Sequence, residues 1–112
     1  IINRDGVIGS ALDAWMLHPN WIRGKSQPEM VSLSNVTEHI DHVCQLAGTT
    51  RHAAIGSDLD GGYGTEQTPL DLNTIADLQK LHGLLTKKGY SQTDVESIFY
   101  GNWIRFYTEV LR

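Results

Sequence analysis

Two short apolar runs bracket a helical period, and that order constrains the chain more than any other feature. Val7-Ile8-Gly9-Ser10-Ala11-Leu12 is the first run and His52-Ala53-Ala54-Ile55-Gly56-Ser57 the second. Each has the length of a buried strand. Arg4-Asp5-Gly6 supplies a turn before the first. Between them Val36, Ile40, Val43, Cys44 and Ala47 recur at helical spacing and form one apolar stripe. Asn35 followed by Glu38 resembles a capping box at the start of that helix, and Gly48 is a natural stop. Strand, helix and strand in this order predict a βαβ unit with parallel strands. Gly9 and Gly56 suit a crowded sheet covered on both faces.

The rest of the chain reads as α-helix and loop. Residues 13–33, with Trp15, His18-Pro19-Asn20-Trp21 and Pro28, form a long irregular segment. Loops of that length are usually functional or disordered. Residues 58–70 form a glycine-rich loop. Asp71 can cap a helix that carries Leu72, Ile75, Leu78, Leu81 and Leu85 and closes at Lys87-Lys88-Gly89. Ser91 caps a shorter helix with Val95, Ile98 and Phe99, and Gly101-Asn102 breaks it. A last helix places Trp103, Phe106, Tyr107, Val110 and Leu111 on one side. Two strands cannot cover their own faces and edges. The expectation for 112 residues of this pattern is a piece of a larger α/β fold, or an oligomer that completes one.

Composition removes several classes of function. A net charge of −4 leaves no basic stripe for nucleic acid or for an anionic membrane. No apolar run reaches the roughly 20 residues that span a bilayer. Cys44 is the only cysteine, so neither an intrachain disulfide nor a cysteine zinc cage can form, and it reads as a plain buried thiol. The chain begins Ile1-Ile2-Asn3 without Met or a leader-like segment and reads as cut from something longer. Where the protein resides is not legible, and cytoplasmic is only the default expectation.

The chemistry gathers at Asp58-Leu59-Asp60-Gly61-Gly62. In parallel α/β folds functional groups collect at the C-terminal ends of strands, and Asp58 sits at such an end. Two acids two residues apart can bind a metal or share acid–base work, or can simply form a turn. The D-x-D-G fragment lacks the downstream glutamate of a calcium loop. His39 and His42 lie three apart, whereas the zincin pattern needs four and an adjacent Glu. They read as border residues of the core. His52 stands at the far end of its strand, His82 on the edge of a helix, and His18 in the long loop, where it could face a pocket. No nucleophile triad and no phosphate loop is present.

Taken together, two sets of motifs resemble one family. The first is His39-Ile40-Asp41-His42-Val43, Ala47-Gly48 and Ile55-Gly56-Ser57-Asp58-Leu59-Asp60-Gly61. The second is Gly89-Tyr90-Ser91, Asp94-Val95-Glu96 and Gly101-Asn102-Trp103-Ile104-Arg105-Phe106. In order and spacing they resemble the membrane dipeptidase (renal dipeptidase-like, M19) family over nearly the whole chain. The resemblance implies the C-terminal portion of a metal-dependent (β/α)₈ TIM barrel, about two βα units plus terminal helices. Residues 1–112 would then be part of a single peptidase domain and not a complete one.

The resemblance also implies hydrolysis of dipeptides with two zinc ions, whose ligands all fall outside this segment. None is expected to bind this chain alone, and the chain alone is expected to be inactive. Asp58 matches the catalytic acid at the end of the last strand. It would hold the attacking water, accept its proton and pass it to the leaving amine. Gly61 matches the glycine that lets substrate lie against the loop, and Trp15 falls near an aromatic that walls the pocket. Asp60 would order the loop and Asn102 cap the last helix. The implied partners are a dipeptide, the missing N-terminal part of the barrel and a possible second copy. Two other readings stay open: an amidohydrolase of N-acyl amino acids, and a non-catalytic half-barrel that assembles with itself or a partner.

Overall fold

A computed structural model describes residues 1–112. Strands β1 (Ile8–Ala11) and β2 (Ala53–Ser57) form a parallel two-stranded sheet. Ile8 pairs with Ala53, Gly9 with Ala54 and Ser10 with Ile55; Ala11 then pairs with Ser57, so Gly56 is skipped. This is the predicted parallel unit, with a bulge next to the C-terminal end. The two glycines are demanded by sterics. A Cβ on Gly9 would lie 2.8 Å from the Gly56 Cα and 3.0 Å from the Trp103 ring, and one on Gly56 would lie 2.8 Å from the Gly9 carbonyl.

Helix α2 (Leu33–Ala47) makes the crossover. It starts one turn earlier than the Asn35 reading placed it. Ser32 is the N-cap, and Asn35 is the third helical residue, whose Oδ1 accepts the Ser32 N–H at 2.9 Å. Gly48 ends the helix at φ 71, as expected. Leu33, Val36, Ile40 and Cys44 are buried, with Val43 packed at the edge.

The core joins this stripe to Leu12, Ala14, Leu17, Trp21 and Val31 from the segment after β1, and to Leu72, Leu81, Leu85, Val95 and Ile98 from the second half. The long segment expected to be irregular contains a short helix, α1 (Ala14–Leu17), capped by Asp13, and a 3₁₀ turn at Pro28–Met30. Asp71 does not cap the following helix; its Oδ1 accepts the Leu33 N–H at 2.8 Å and ties the loop to α2. The cap falls to Thr74 and Asp77, ahead of a 3₁₀ segment Ile75–Gln79 that runs into α3 (Lys80–Lys88). Ile75 therefore points outward, not onto the apolar face.

Ser91 caps α4 (Gln92–Glu96) as expected. Gly101-Asn102 does not break the chain there. A π-helical turn, Ser97–Gly101, carries α4 directly into α5 (Asn102–Val110). Nor does Asn102 act as a cap. It is buried, and its Nδ2 donates to the carbonyls of Thr50 at 2.7 Å and Ala53 at 2.8 Å, clamping the start of β2. Beside it Trp103 Nε1 donates to the Ile55 carbonyl at 3.0 Å. One face of α5 is bare: Ile104, Tyr107 and Val110 are exposed, and so is Leu111 just after it.

Candidate functional site

Because β1 and β2 are parallel, Leu12-Asp13 and Ser57-Asp58 emerge side by side, joined by the Leu12 N–H donating to the Ser57 carbonyl at 2.8 Å. The chain then turns sharply. Ser57, Asp58 and Asp60 have φ values of 41, 61 and 62, all left-handed. Such conformations cost on the order of 1–3 kcal/mol each in non-glycine residues and cluster at working sites, although Asp tolerates them better than most. The Asp58 N–H donates to the Gly56 carbonyl at 2.7 Å, and the Gly61 N–H to the Asp58 carbonyl at 3.0 Å. The Asp58 side chain folds over Gly61: a Cβ there would overlap Oδ1 and stand 2.8 Å from the Asp58 carbonyl oxygen. Gly61 thus makes room first of all for the carboxylate. Asp58, Asp60, Gly61 and Gly62 are all exposed.

A second carboxylate flanks the first. Asp13, only 3% exposed, ends the turn after β1. Its Oδ1 caps α1 by accepting the Trp15 N–H at 3.0 Å, and also accepts Gln67 Nε2 at 2.8 Å from the glycine-rich loop. The Arg23 guanidinium stands 4.0 Å from its Oδ2. Tyr63 belongs to the same cluster. Its hydroxyl is buried without a hydrogen-bond partner. Burial, and then the negative charges of Asp58 and Asp13, push its pKa up to about 12, so it stays a donor at neutral pH. Tyr63 lines a cavity of about 390 Å³ together with Leu59, Asp60, Thr68, Leu72 and Ile75.

Of the residues singled out from sequence, Asp58 and Gly61 are in contact and Asp60 borders the cavity. Trp15 stands on α1 beside Asp13, half-exposed, beneath the Arg23 guanidinium, 4.6 Å from the ring centroid. The histidines do not converge. His52 Nδ1 bonds the Gly6 carbonyl at 2.8 Å at the opposite end of the sheet, and His82 Nε2 bonds Gln92 at 2.9 Å. His18 Nδ1 accepts the Asn20 N–H at 3.2 Å within its own loop. His39 and His42 are exposed on α2, near Ser10. No three His, Cys, Asp or Glu side chains come together as a metal cage. The chain's own residues therefore do not fit a two-zinc site by themselves. No helix is long and apolar enough to cross a membrane.

Asp13, Tyr63, Gln67 and Arg23 were missed in the sequence. Only Asp13 left a signal: like Asp58, it is an acid directly after an apolar run.

The profile of the membrane dipeptidase family (peptidase family M19) matches residues 1–112. An uncharacterized protein from the pqqA 5′ region of Klebsiella pneumoniae is 30% identical over 100 residues, which are 89% of this chain and 34% of that protein. An uncharacterized dipeptidase of Schizosaccharomyces pombe is 31% identical over 78 residues, 70% of this chain and 18% of its own length. The chain thus spans about a third or less of the curated relatives it matches. No solved structure matches it.

Proposed function

Because this chain belongs to the membrane dipeptidase family, we propose that it is the C-terminal portion of a (β/α)₈ barrel that hydrolyses dipeptides, and that Asp58 is its catalytic residue. The observation that carries this reading is the strained end of β2. Ser57 and Asp58 are both left-handed, and the turn holds an exposed carboxylate at the C-terminal mouth of a parallel sheet. A relative described as a dipeptidase supports the reaction class.

In this proposal the two zinc ions are held by residues outside these 112. The chain's own part is acid–base work. Asp58 takes a proton from the attacking water and returns it to the departing amine as the peptide C–N bond breaks. Gly61 keeps the loop clear of the carboxylate and lets the substrate backbone come close. Trp15 walls the mouth on the β1 side.

The test is Asp58→Asn in the full-length protein. Asn also tolerates the left-handed conformation, so the fold should hold. The expected result is a loss of kcat of about 10²–10⁴-fold with zinc content unchanged. Unaltered turnover would remove Asp58 from the chemistry. Assay against N-acyl amino acids beside dipeptides decides the substrate class, since faster cleavage of the former would make the enzyme an amidohydrolase of another kind.

A further inference from the structure

Arg23 is held in an unusual way. Its guanidinium lies over the Trp15 ring, 4.6 Å from the centroid, and 4.0 Å from Asp13 Oδ2. At 4.0 Å the ion pair is too long for a hydrogen bond. An arginine serving only to neutralise Asp13 would be expected to grip it with two parallel N–H···O bonds. Here the buried carboxylate and the indole face orient the guanidinium without using its donors, and the side chain remains 63% exposed.

The brace beneath it is rigid. Asp13 is 4% exposed at its side chain and is fixed through Oδ1 by the Trp15 N–H at 3.0 Å and by Gln67 at 2.8 Å. Asp13 also follows β1 at the same end of the sheet where Asp58 follows β2. A pre-oriented cation with free donors therefore stands on the β1 side of the mouth that carries the candidate catalytic acid. The charged residues of the facing glycine-rich loop, Asp58, Asp60 and Glu66, are all acids. They would repel an anionic group unless a cation met it.

We propose that Arg23, stacked on Trp15 and braced by Asp13, is a specificity-determining residue that receives a carboxylate side chain of the substrate. This rests on the dipeptidase reading for the identity of the substrate. It goes beyond that reading in assigning an acidic-residue subsite. A planar guanidinium presents paired N–H donors that match a carboxylate, which a neutral amide of the same shape matches less well.

The test compares isosteric pairs: alanyl-glutamate with alanyl-glutamine, and glutamyl-alanine with glutaminyl-alanine. Binding is measured by calorimetry to full-length protein carrying Asp58→Asn, so that turnover does not consume the ligand. In at least one pair the acidic dipeptide is expected to bind about tenfold tighter. Arg23→Gln should bring that ratio to about one, and Arg23→Lys should keep part of it. A ratio near one in the parent, or a ratio that survives Arg23→Gln, overturns the proposal. Turnover of the dipeptides in the Asp58→Asn protein would instead count against the role of Asp58; the ratio of kcat/KM then replaces the ratio of affinities and decides the subsite in the same way.

Discussion

Gly9 and Gly56 face each other across the parallel strands so closely that neither can carry a side chain. A Cβ on Gly9 meets the Gly56 Cα at 2.8 Å, and one on Gly56 meets the Gly9 carbonyl carbon and oxygen at 2.8 Å. Both obstacles are backbone and cannot swing aside. Gly9→Ala or Gly56→Ala is therefore expected to destabilise the chain by about 1–3 kcal/mol, the range of overpacked cores. Gly83, exposed in α3 with nothing within 4 Å of a Cβ, is the control. There Ala should add up to about 1 kcal/mol through helix propensity. Urea unfolding of the three variants checks both signs.

Tyr63 makes an opposite kind of prediction. Its hydroxyl is buried and unpartnered in this chain. A buried polar group without a partner costs about 1–3 kcal/mol. Tyr63→Phe in the 112-residue chain should then be neutral or stabilising by about 1 kcal/mol in the same unfolding measurement. A clear loss of stability would mean that the hydroxyl is bonded in solution.

Acid should loosen the loop before α3. The backbone N–H of Thr74, then Lys80 and the backbone N–H of Asn73, hold the Asp77 carboxyl down to about 2, from an ordinary 3.8. The folded value lies below the unfolded one, so the contribution is complete above about pH 4. It is lost as pH falls through about 2. Asp5 and Asp41 are lowered as well, the first chiefly by Arg51 and the second chiefly by the Tyr90 hydroxyl. The urea midpoint should fall between pH 4 and pH 2, and Asp77→Asn should make that fall shallower. An identical slope in the variant would show that Asp77 is not linked to unfolding.

The parallel pair, the α2 stripe and the glycine stops were legible because each rests on local periodicity or on a single backbone conformation. Asp58 at the strand end was legible for the same reason, since the apolar run stops there. Asn102 was not. A polar residue after glycine reads as a break, and nothing local tells that its amide reaches the Thr50 and Ala53 carbonyls, some fifty residues back. Asp71 misled in the same manner: as a cap it has the right chemistry, but the free N–H it meets belongs to Leu33. Arg23, Trp15 and Asp13 lie close in sequence, yet the Asp13 carboxylate beside Arg23 is held in part by Gln67 from the opposite loop.

At the π turn, Ser97–Gly101, the Asn102 N–H bonds the Ser97 carbonyl five residues back, where an α turn bonds four back, so the turn takes up one residue beyond the α repeat. Loss of either Phe99 or Tyr100 would leave a plain α turn, with the Asn102 clamp on β2 and the Trp103 cover over Gly9 still in register. The surplus residue is thus stored where the sheet does not feel it, and this segment can vary in length by one while the contacts on either side persist.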